Sequence, residues 1–546
     1  MKDSPSWITY FPDRAIAFKI TAIMRKVLGI ILISGLSSFA YGQMELFRTG
    51  DVVQAYFDGE ILATNVYVTS HIPDLTGVGV PAQNEMFQAG YARVRSQLII
   101  NEAFIIGLGL TWWGIYSGYP KKNYPFLSEA YIISDTLHWP FAQKAFIYGG
   151  RMRMNYGTGL LISDFYGTGY NTFGLTMQFT EQQPIYLDFL YMKLSEGGGN
   201  QIDITYFPVA YNTDSTKAYK WISTKYDLET YGIVLRKNRR EDQPFAMNLY
   251  LTTLLEDRNL EAFLPFWTGF YLDVGPIKKF SLKAELGYLF GRWLAKKPIY
   301  NDFPDQLYEV VRGCDPAIDG DNCPGFRFNS LAYTINVRYD ASETFSFGVG
   351  YSSFQGDDGT TPDVYEGWFS PTLRSELNVN SDWSKWSGLG EIFTFGMKPG
   401  LYRDVFGSDL SDLRILNVYF ETSPYTIFHS LKTRFDFFAY WEYWGPQYEF
   451  YTANPTDYPL QPNTPYSLDI GYEFDLTFRM VYADFADIGV ILGYFIPGTR
   501  LKYGWARPGT LRTLDLYGTL EDVQYVHTLS SGSIIARFWI YRQINF

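Results

Sequence analysis

The sequence predicts an all-β protein: a single antiparallel transmembrane β-barrel of about 18 strands. Three observations carry this. Segments of about ten residues alternate polar and apolar side chains along most of the chain, which is the period of a strand with two unlike faces. Phe, Trp and Tyr make up 19% of the 546 residues and charged residues also 19%, while mean hydropathy is −0.13. The longest apolar run, VLGIILISGL at Val27–Leu36, is about half of the ~20 residues that a membrane helix needs. A helical membrane protein and a disordered chain are thereby excluded. A net charge of −12 and a pI near 5.0 argue against a nucleic-acid partner.

Along the chain, the N-terminal part reads as a leader. Arg25 and Lys26 precede the apolar run, and Ala40 and Gly42 sit at the −3 and −1 sites of a signal-peptidase cut before Gln43. A basic segment, a short apolar core and small residues make a secretory signal. Met24 is its natural start, so residues 1–42 are expected to be extension and signal, and 43–546 the barrel.

The strand segments then follow. Arg93, Arg95 and Gln97 share one face, opposite Val94, Ser96 and Leu98. Arg151, Arg153 and Asn155 oppose Met152, Met154 and Tyr156. Asn248, Tyr250 and Thr252 oppose Leu249 and Leu251; Lys283 and Glu285 oppose Leu282, Ala284 and Leu286. Thr334, Asn336 and Arg338 oppose Ile335, Val337 and Tyr339; Lys432, Arg434 and Asp436 oppose Phe435 and Phe437. Glu473, Asp475, Thr477 and Arg479 oppose Phe474, Leu476, Phe478 and Met480. A soluble sandwich alternates too. Long charged side chains on the polar face, however, suit a wet lumen. Trp112, Trp113, Trp139, Trp267, Trp293, Trp441 and Trp444 fall near strand ends, where amphipathic rings mark membrane interfaces.

The last segment carries Ile534, Ala536, Phe538, Ile540, Arg542 and Ile544 on one face and Arg537, Trp539, Tyr541, Gln543 and Asn545 on the other. Ending on Phe546, it resembles the assembly signal of Gram-negative outer-membrane barrels, and the expected location is that membrane. An even strand count puts both barrel ends on the periplasmic side. Pro208–Lys225, Lys296–Asn329, Gly356–Asn380 and Tyr448–Pro465 read as outer loops. No plug-sized domain and no helical repeats precede the strands, which speaks against an energy-coupled transporter and a barrel-assembly factor.

Cys314 and Cys323 bracket CDPAIDGDNC. In an oxidising compartment they are expected to pair across an extracellular loop. Asp315, Asp319 and Asp321, with Asn322, are hard oxygen donors suited to Ca²⁺, but the distal Glu of a complete EF-hand loop is missing. A disulfide-closed loop with solvated acids is the simpler reading. His71, His138, His429 and His527 show no paired metal-ligand spacing. No CxxCH motif or phosphate loop is present, so no other cofactor is implied and the reading is not an enzyme.

Two stretches carry a family resemblance. In Ser128–Phe179, Glu129, Ala130 and Tyr131 begin one strand, Gly150 and Arg151 lie in the next, and Tyr156, Gly157 and Gly159 form a turn. In Gly471–Gly498, Glu473 and Asp475 face a return strand ending in Tyr494, Phe495, Pro497 and Gly498. Both resemble the alginate-export type of outer-membrane barrel. The resemblance implies a monomeric barrel of about 18 strands that passes anionic polysaccharide or small solutes through an arginine-lined lumen. It carries over Arg151 and, by strand phase, Arg153.

Arg93, Arg95, Arg338, Arg434 and Arg479 extend the expected anion-selecting track, together with Arg236, Lys432 and Arg537. Fixed guanidiniums in a low-dielectric wall focus field and select anions. Lys283 shares a face with Glu285, Arg434 with Asp436 and Arg479 with Asp475, and opposed charges also serve as structural ladders. The expected function is a channel for hydrophilic solutes or an anionic polysaccharide, with membrane lipid as surroundings. The alternatives are a scaffold subunit of a secretion, adhesion or capsule-attachment machine with unidentified protein partners, and, third, a barrel-embedded enzyme.

Overall fold

The computed structural model describes residues 44–49, 53–69, 84–101, 103–115, 124–139, 141–162, 169–180, 185–195, 228–239, 244–256, 263–293, 326–356, 364–371, 390, 413–423, 431–443, 469–482, 486–498 and 533–545. The leader, the Cys314–Cys323 loop with Asp315, Asp319 and Asp321, and Phe546 lie outside the described residues.

Every regular element among the described residues is a strand: β1 (Met44–Thr49), β2 (Val53–Thr69), β3 (Asn84–Ile100), β4 (Phe104–Ile115), β5 (Tyr124–Trp139), β6 (Ala142–Met152), β7 (Tyr170–Gln178), β8 (Ile185–Ser195), β9 (Leu228–Lys237), β10 (Phe245–Glu256), β11 (Phe263–Ile277), β12 (Phe280–Trp293), β13 (Phe326–Asp340), β14 (Phe345–Phe354), β15 (Val364–Tyr365), β16 (Leu413–Thr422), β17 (Leu431–Glu442), β18 (Asp469–Tyr482), β19 (Ala486–Pro497) and β20 (Ser533–Asn545). Strands β2–β14 and β16–β20 pair antiparallel in sequence, and β20 returns to pair with β2 from Asp58↔Asn545 to Thr69↔Ile534. Of the twenty strands, β1 and β15 stand outside this ring, so the closed barrel has 18, as the alternation predicted. Closure removes the sheet edge that a bilayer would not tolerate. β1 lies on β2 just beyond the end of β20, and β15 is a two-residue parallel contact with β13.

The two faces divide as a membrane barrel requires. Ile61, Val94, Leu108, Leu110, Trp112, Leu249, Leu251, Leu286, Ile335, Val349, Leu492 and Tyr494 are exposed on the outside. Glu60, Arg93, Asp188, Glu285, Asn336, Arg434, Glu473 and Arg537 are buried on the inside. This is the inverse of a soluble protein, and only a lipid surround makes so large an apolar surface stable. The short connections, such as Lys278–Lys279 between β11 and β12, gather at the end where β2 begins and β20 stops. The long ones gather at the other end. Short turns mark the periplasmic side of outer-membrane barrels.

The inner wall is flattened by aromatic rings laid over glycines. Tyr131 pairs with Gly107, Tyr148 with Gly174, Tyr419 with Gly348 and Trp539 with Gly489, each directly across the ladder. A Cβ on any of these glycines would overlap its ring. Gly489→Val should therefore drive Trp539 off the wall at a cost of about 1–3 kcal/mol. Its denaturation midpoint in detergent, followed by tryptophan emission, checks this; an unchanged midpoint and emission maximum would refute the packing role.

Three expectations need correction. Trp267 is fully buried inside, not at an interface. Its odd position on β11 shares the inward phase of Gly269, whose partner Gly287 also faces in. Part of Gly356–Asn380 is not an outer loop: residues 364–371 fold inward. Arg151 faces outward. It pairs with Ala130 and Asn171, on the face of Phe173 (58% exposed), and its Nη1 donates to Asn171 Oδ1 at 3.4 Å. The Arg151/Arg153 equivalence assumed that the chain stays extended. It does so only to Met152, which takes the inward phase beside Tyr170, and then turns into the lumen.

Candidate functional site in the barrel lumen

The first part of the site is a polar belt across the seam between the last and first barrel strands. Tyr541 on β20 donates its hydroxyl to Glu60 Oε2 on β2 at 2.9 Å. Arg93 Nη1 on β3 reaches Glu60 Oε1 at 2.5 Å, and its Nε donates to Thr111 Oγ1 on β4 at 3.0 Å. Thr111 Oγ1 donates to Ser128 Oγ on β5 at 2.7 Å, and Ser128 to the Gly109 carbonyl at 3.2 Å. Ser128 can close this chain because a register shift after Gly109 leaves it as the extra residue of a bulge. Arg95 and Asp58 repeat the pairing one step along, at 2.6 Å.

The other expected lumen arginines are also matched by acids. Arg338 lies 2.8 Å from Asp340 and 3.5 Å from Glu421, Arg434 2.7 Å from Asp436, Arg479 2.5 Å from Asp487, and Arg236 2.6 Å from Asp188. The guanidinium of Arg434 also lies over the Tyr419 ring, and that of Arg537 over Trp539. The inner wall is a mixed-charge ladder.

The second part is an inward segment, residues 153–162, between β6 and β7. Its entrance lies near β2, where Arg153 Nη1 is 4.0 Å from Glu60 Oε1. Its tip lies on β12, nearly opposite β2 in the ring: Thr158 donates its N–H to Glu285 Oε2 at 2.6 Å and its hydroxyl to the same oxygen at 2.5 Å. The six residues from Arg153 to Thr158 thus reach across the lumen between the side chains of Glu60 and Glu285. Gly157, at φ 61°, is placed where a Cβ would come within 2.7 Å of both Glu285 carboxylate oxygens and the Tyr250 hydroxyl, so no larger residue fits. Tyr156 donates to Asp188 Oδ2 at 3.3 Å. Leu160, Leu161 and Ile162 are fully buried, with Leu161 against the glycine niche at Gly269 and Gly287.

A second inward segment, residues 364–371, packs beside the first. Trp368 also covers Gly287, so the two segments meet over one glycine. Trp267 Nε1 donates to the Phe369 carbonyl at 2.7 Å and Thr230 Oγ1 to the Pro371 carbonyl at 2.8 Å. Phe369 stands edge-on to Trp267 and Phe328. Further along the same connection, the Gly390 N–H donates to the Tyr440 hydroxyl at 3.2 Å, which in turn donates to buried Glu473 at 2.9 Å.

No protein-family model and no curated protein matches the chain. Solved barrels do. OccD3 (OpdP) of Pseudomonas aeruginosa is 9% identical, over 93% of this chain and 95% of its own, with a TM-score of 0.44. OccAB1 of Acinetobacter baumannii is 12% identical, over 89% and 96%, with a TM-score of 0.44. OprD of P. aeruginosa is 9% identical, over 89% and 95%, with a TM-score of 0.42. The alginate-export resemblance of the two sequence stretches thus has no family match behind it.

Sequence reasoning placed Arg93, Arg95, Arg338, Arg434 and Arg479 on the inner wall and missed the segments that cross it. Arg153 reaches the lumen through the inward segment and not through strand phase. Of the docking pair, the sequence marks Glu285 only as a ladder acid, and nothing in it marks Thr158. Leu160–Ile162 carries no distinguishing signal: it is apolar at three consecutive positions, but so are Leu98–Ile100 on β3 and Val490–Leu492 on β19. Among the described residues no three His, Cys, Asp or Glu side chains gather as a metal site.

Proposed function

We propose that the protein is a channel of the Gram-negative outer membrane for small hydrophilic solutes, with a lumen narrowed by its own inward segments. One observation carries this. Arg153, on the inward segment, keeps 34% of its side chain exposed, and Arg338 and Lys432, which point inward at the short-connection mouth, keep 34% and 35%. A packed interior would bury or exclude such charges, so the barrel retains an aqueous space along the charged wall. The mixed ladder favours weak ion selectivity, since Arg93, Arg95, Arg236, Arg338, Arg434 and Arg479 each have a nearby acid to offset their field. The crossing segments favour small solutes over a polysaccharide chain.

The scaffold reading has its own support in the aromatic cluster of Trp267, Phe328, Trp368 and Phe369 that ties segment 364–371 to the wall. Planar-bilayer recording separates the two. A channel should give stepwise ohmic conductance, with a reversal potential close to zero in a KCl gradient. Folded barrel that adds no conductance to the bare bilayer would remove the channel reading and leave the scaffold. Strong anion selectivity would show that the acids do not neutralise the arginines, as the sequence-based expectation held.

A further inference from the structure

The outer face of β16, read from its short-connection end, runs Thr422, Phe420, Val418, Leu416 and then Arg414. Across the ladder on β14 stand Phe345, Phe347, Val349, Tyr351 and Ser353. Eight residues of tilted strand cover roughly 20 Å along the membrane normal, a little less than the ~25 Å apolar band of an outer-membrane barrel. The α-carbon of Arg414 therefore lies just inside the band's edge on the long-connection side. Its guanidinium lies over the ring of Tyr443, 4.3 Å from the centroid, and Tyr443 stands beyond Arg414's register partner Trp441 on that same side. A long cationic side chain takes this path when its stem crosses apolar surface to bring the charge to a wetter level.

The outer wall around this charge is built of hydroxyls and rings. The direct cross-strand partners of Arg414 are Ser353 and Trp441. Tyr351, Leu416 and Tyr443 flank them, and none of these five residues is acidic. Tyr351 is hydrogen-bonded to the hydroxyls of Tyr333 and Ser353 and lies in the field of Arg414. The Tyr333 and Tyr351 rings stand 5.9 Å apart. Ser353 is on the outward phase of β14 yet only 1% exposed, so its hydroxyl is held beneath its neighbours and not in open solvent.

We infer that Arg414, with the hydroxyls of Tyr351 and Tyr333 beside it, binds the phosphate of a lipid headgroup in the leaflet on the long-connection side. A guanidinium fork offers a phosphate two charge-assisted hydrogen bonds, and the tyrosine hydroxyls add neutral donors at the same level. Two features favour a lipid over free phosphate. The charge stands on the lipid-facing wall and not in the lumen, and Trp441, Tyr351 and Tyr443 form an aromatic girdle that meets the boundary between headgroup and acyl chain. The inference rests on the barrel lying in a bilayer and not on conduction, so the conductance test and this one can fail separately.

The test is lipid retention by the full chain, purified in detergent and read by native mass spectrometry. Bisphosphorylated lipid A should be retained, and its dephosphorylated form should not. Arg414→Gln should weaken retention by about tenfold, while Lys278→Gln, in the turn at the opposite end, should leave it unchanged. Undiminished retention by Arg414→Gln would show that Arg414 only snorkels, and the proposal would fall. Equal retention of the dephosphorylated lipid, or an equal loss in Lys278→Gln, would overturn it too. Displacement of the lipid by inorganic phosphate would assign the site to free anions and overturn it as well. Heat-modifiable gel migration reports folding, and if Arg414→Gln does not fold, the dephosphorylated-lipid comparison on the native chain decides alone.

Discussion

Replacing Arg93 by Ala should lower the stability of the barrel by about 3 kcal/mol, because it takes the nearest counter-charge from a buried carboxylate and leaves it only Arg153, 4.0 Å away. Arg93 and Glu60 are 3% and 5% exposed, so water cannot take over the missing bond. The loss also falls at a sensitive place. Glu60 ties β3 to β20 through Arg93 and Tyr541, and Arg93 passes the chain of bonds on to β4 and β5. Five neighbouring strands across the closing seam share one network, and such networks lose more than their pairwise parts. Thr111 loses its donor at the same time. Denaturant unfolding in micelles should show an earlier midpoint and, at equal temperature, faster loss of the compact form on a semi-native gel. Adding Glu60→Met to Arg93→Met should recover much of the loss, since removing both charges also removes the cost of burying one alone. If the single and double variants lose the same stability, Arg93 acts by packing and not by charge.

The architecture was legible because a barrel wall obeys a period-two rule that any strand must write into its sequence. Asn336 and Arg338 against Ile335 and Val337, or Arg537 and Trp539 against Ile534 and Ile540, fix which face is wet without any partner being known. What the rule does not contain is how the lumen is filled. Segment 153–162 breaks period two, and a break says only that the strand has ended. That Thr158 docks on Glu285, far along the chain, depends on ring geometry that places β12 opposite β2. The arginine track meets a related limit. Phase places Arg93 and Arg434 inside, but whether they act on a passing solute or on a neighbouring strand depends on which acids share their level. Glu60 and Asp436 do. Arg151 shows the limit most sharply: one residue of chain beyond it, the strand ends, and the inference that linked it to Arg153 ends too.

Replacing Glu285 by Ala should undock the inward segment and raise the conductance of the barrel. Glu285 Oε2 accepts both the N–H and the hydroxyl of Thr158, and hydrogen bonds to a charged group contribute about 1.5–3 kcal/mol each. The two are not additive, since they share one oxygen and one residue. A loss of about 3 kcal/mol, roughly a hundredfold in the ratio of docked to undocked segment, is the reasonable scale. Opposing it is the burial of Leu160, Leu161 and Ile162, which the segment must give up on leaving. The segment should therefore visit the undocked state and return, so recordings should show larger and noisier steps than the native chain. Thr158→Val removes only the hydroxyl and keeps the N–H bond, so its effect should have the same sign and be smaller. The pair of variants separates docking from simple charge removal: Glu285→Ala also takes an acid from the lumen wall, which would shift ion selectivity, whereas Thr158→Val changes no charge. Larger steps in both variants identify the segment as the constriction. A change of reversal potential in Glu285→Ala alone, with step size unaltered in both, would show that the segment stays docked on its leucines and that the narrowest point of the lumen lies elsewhere.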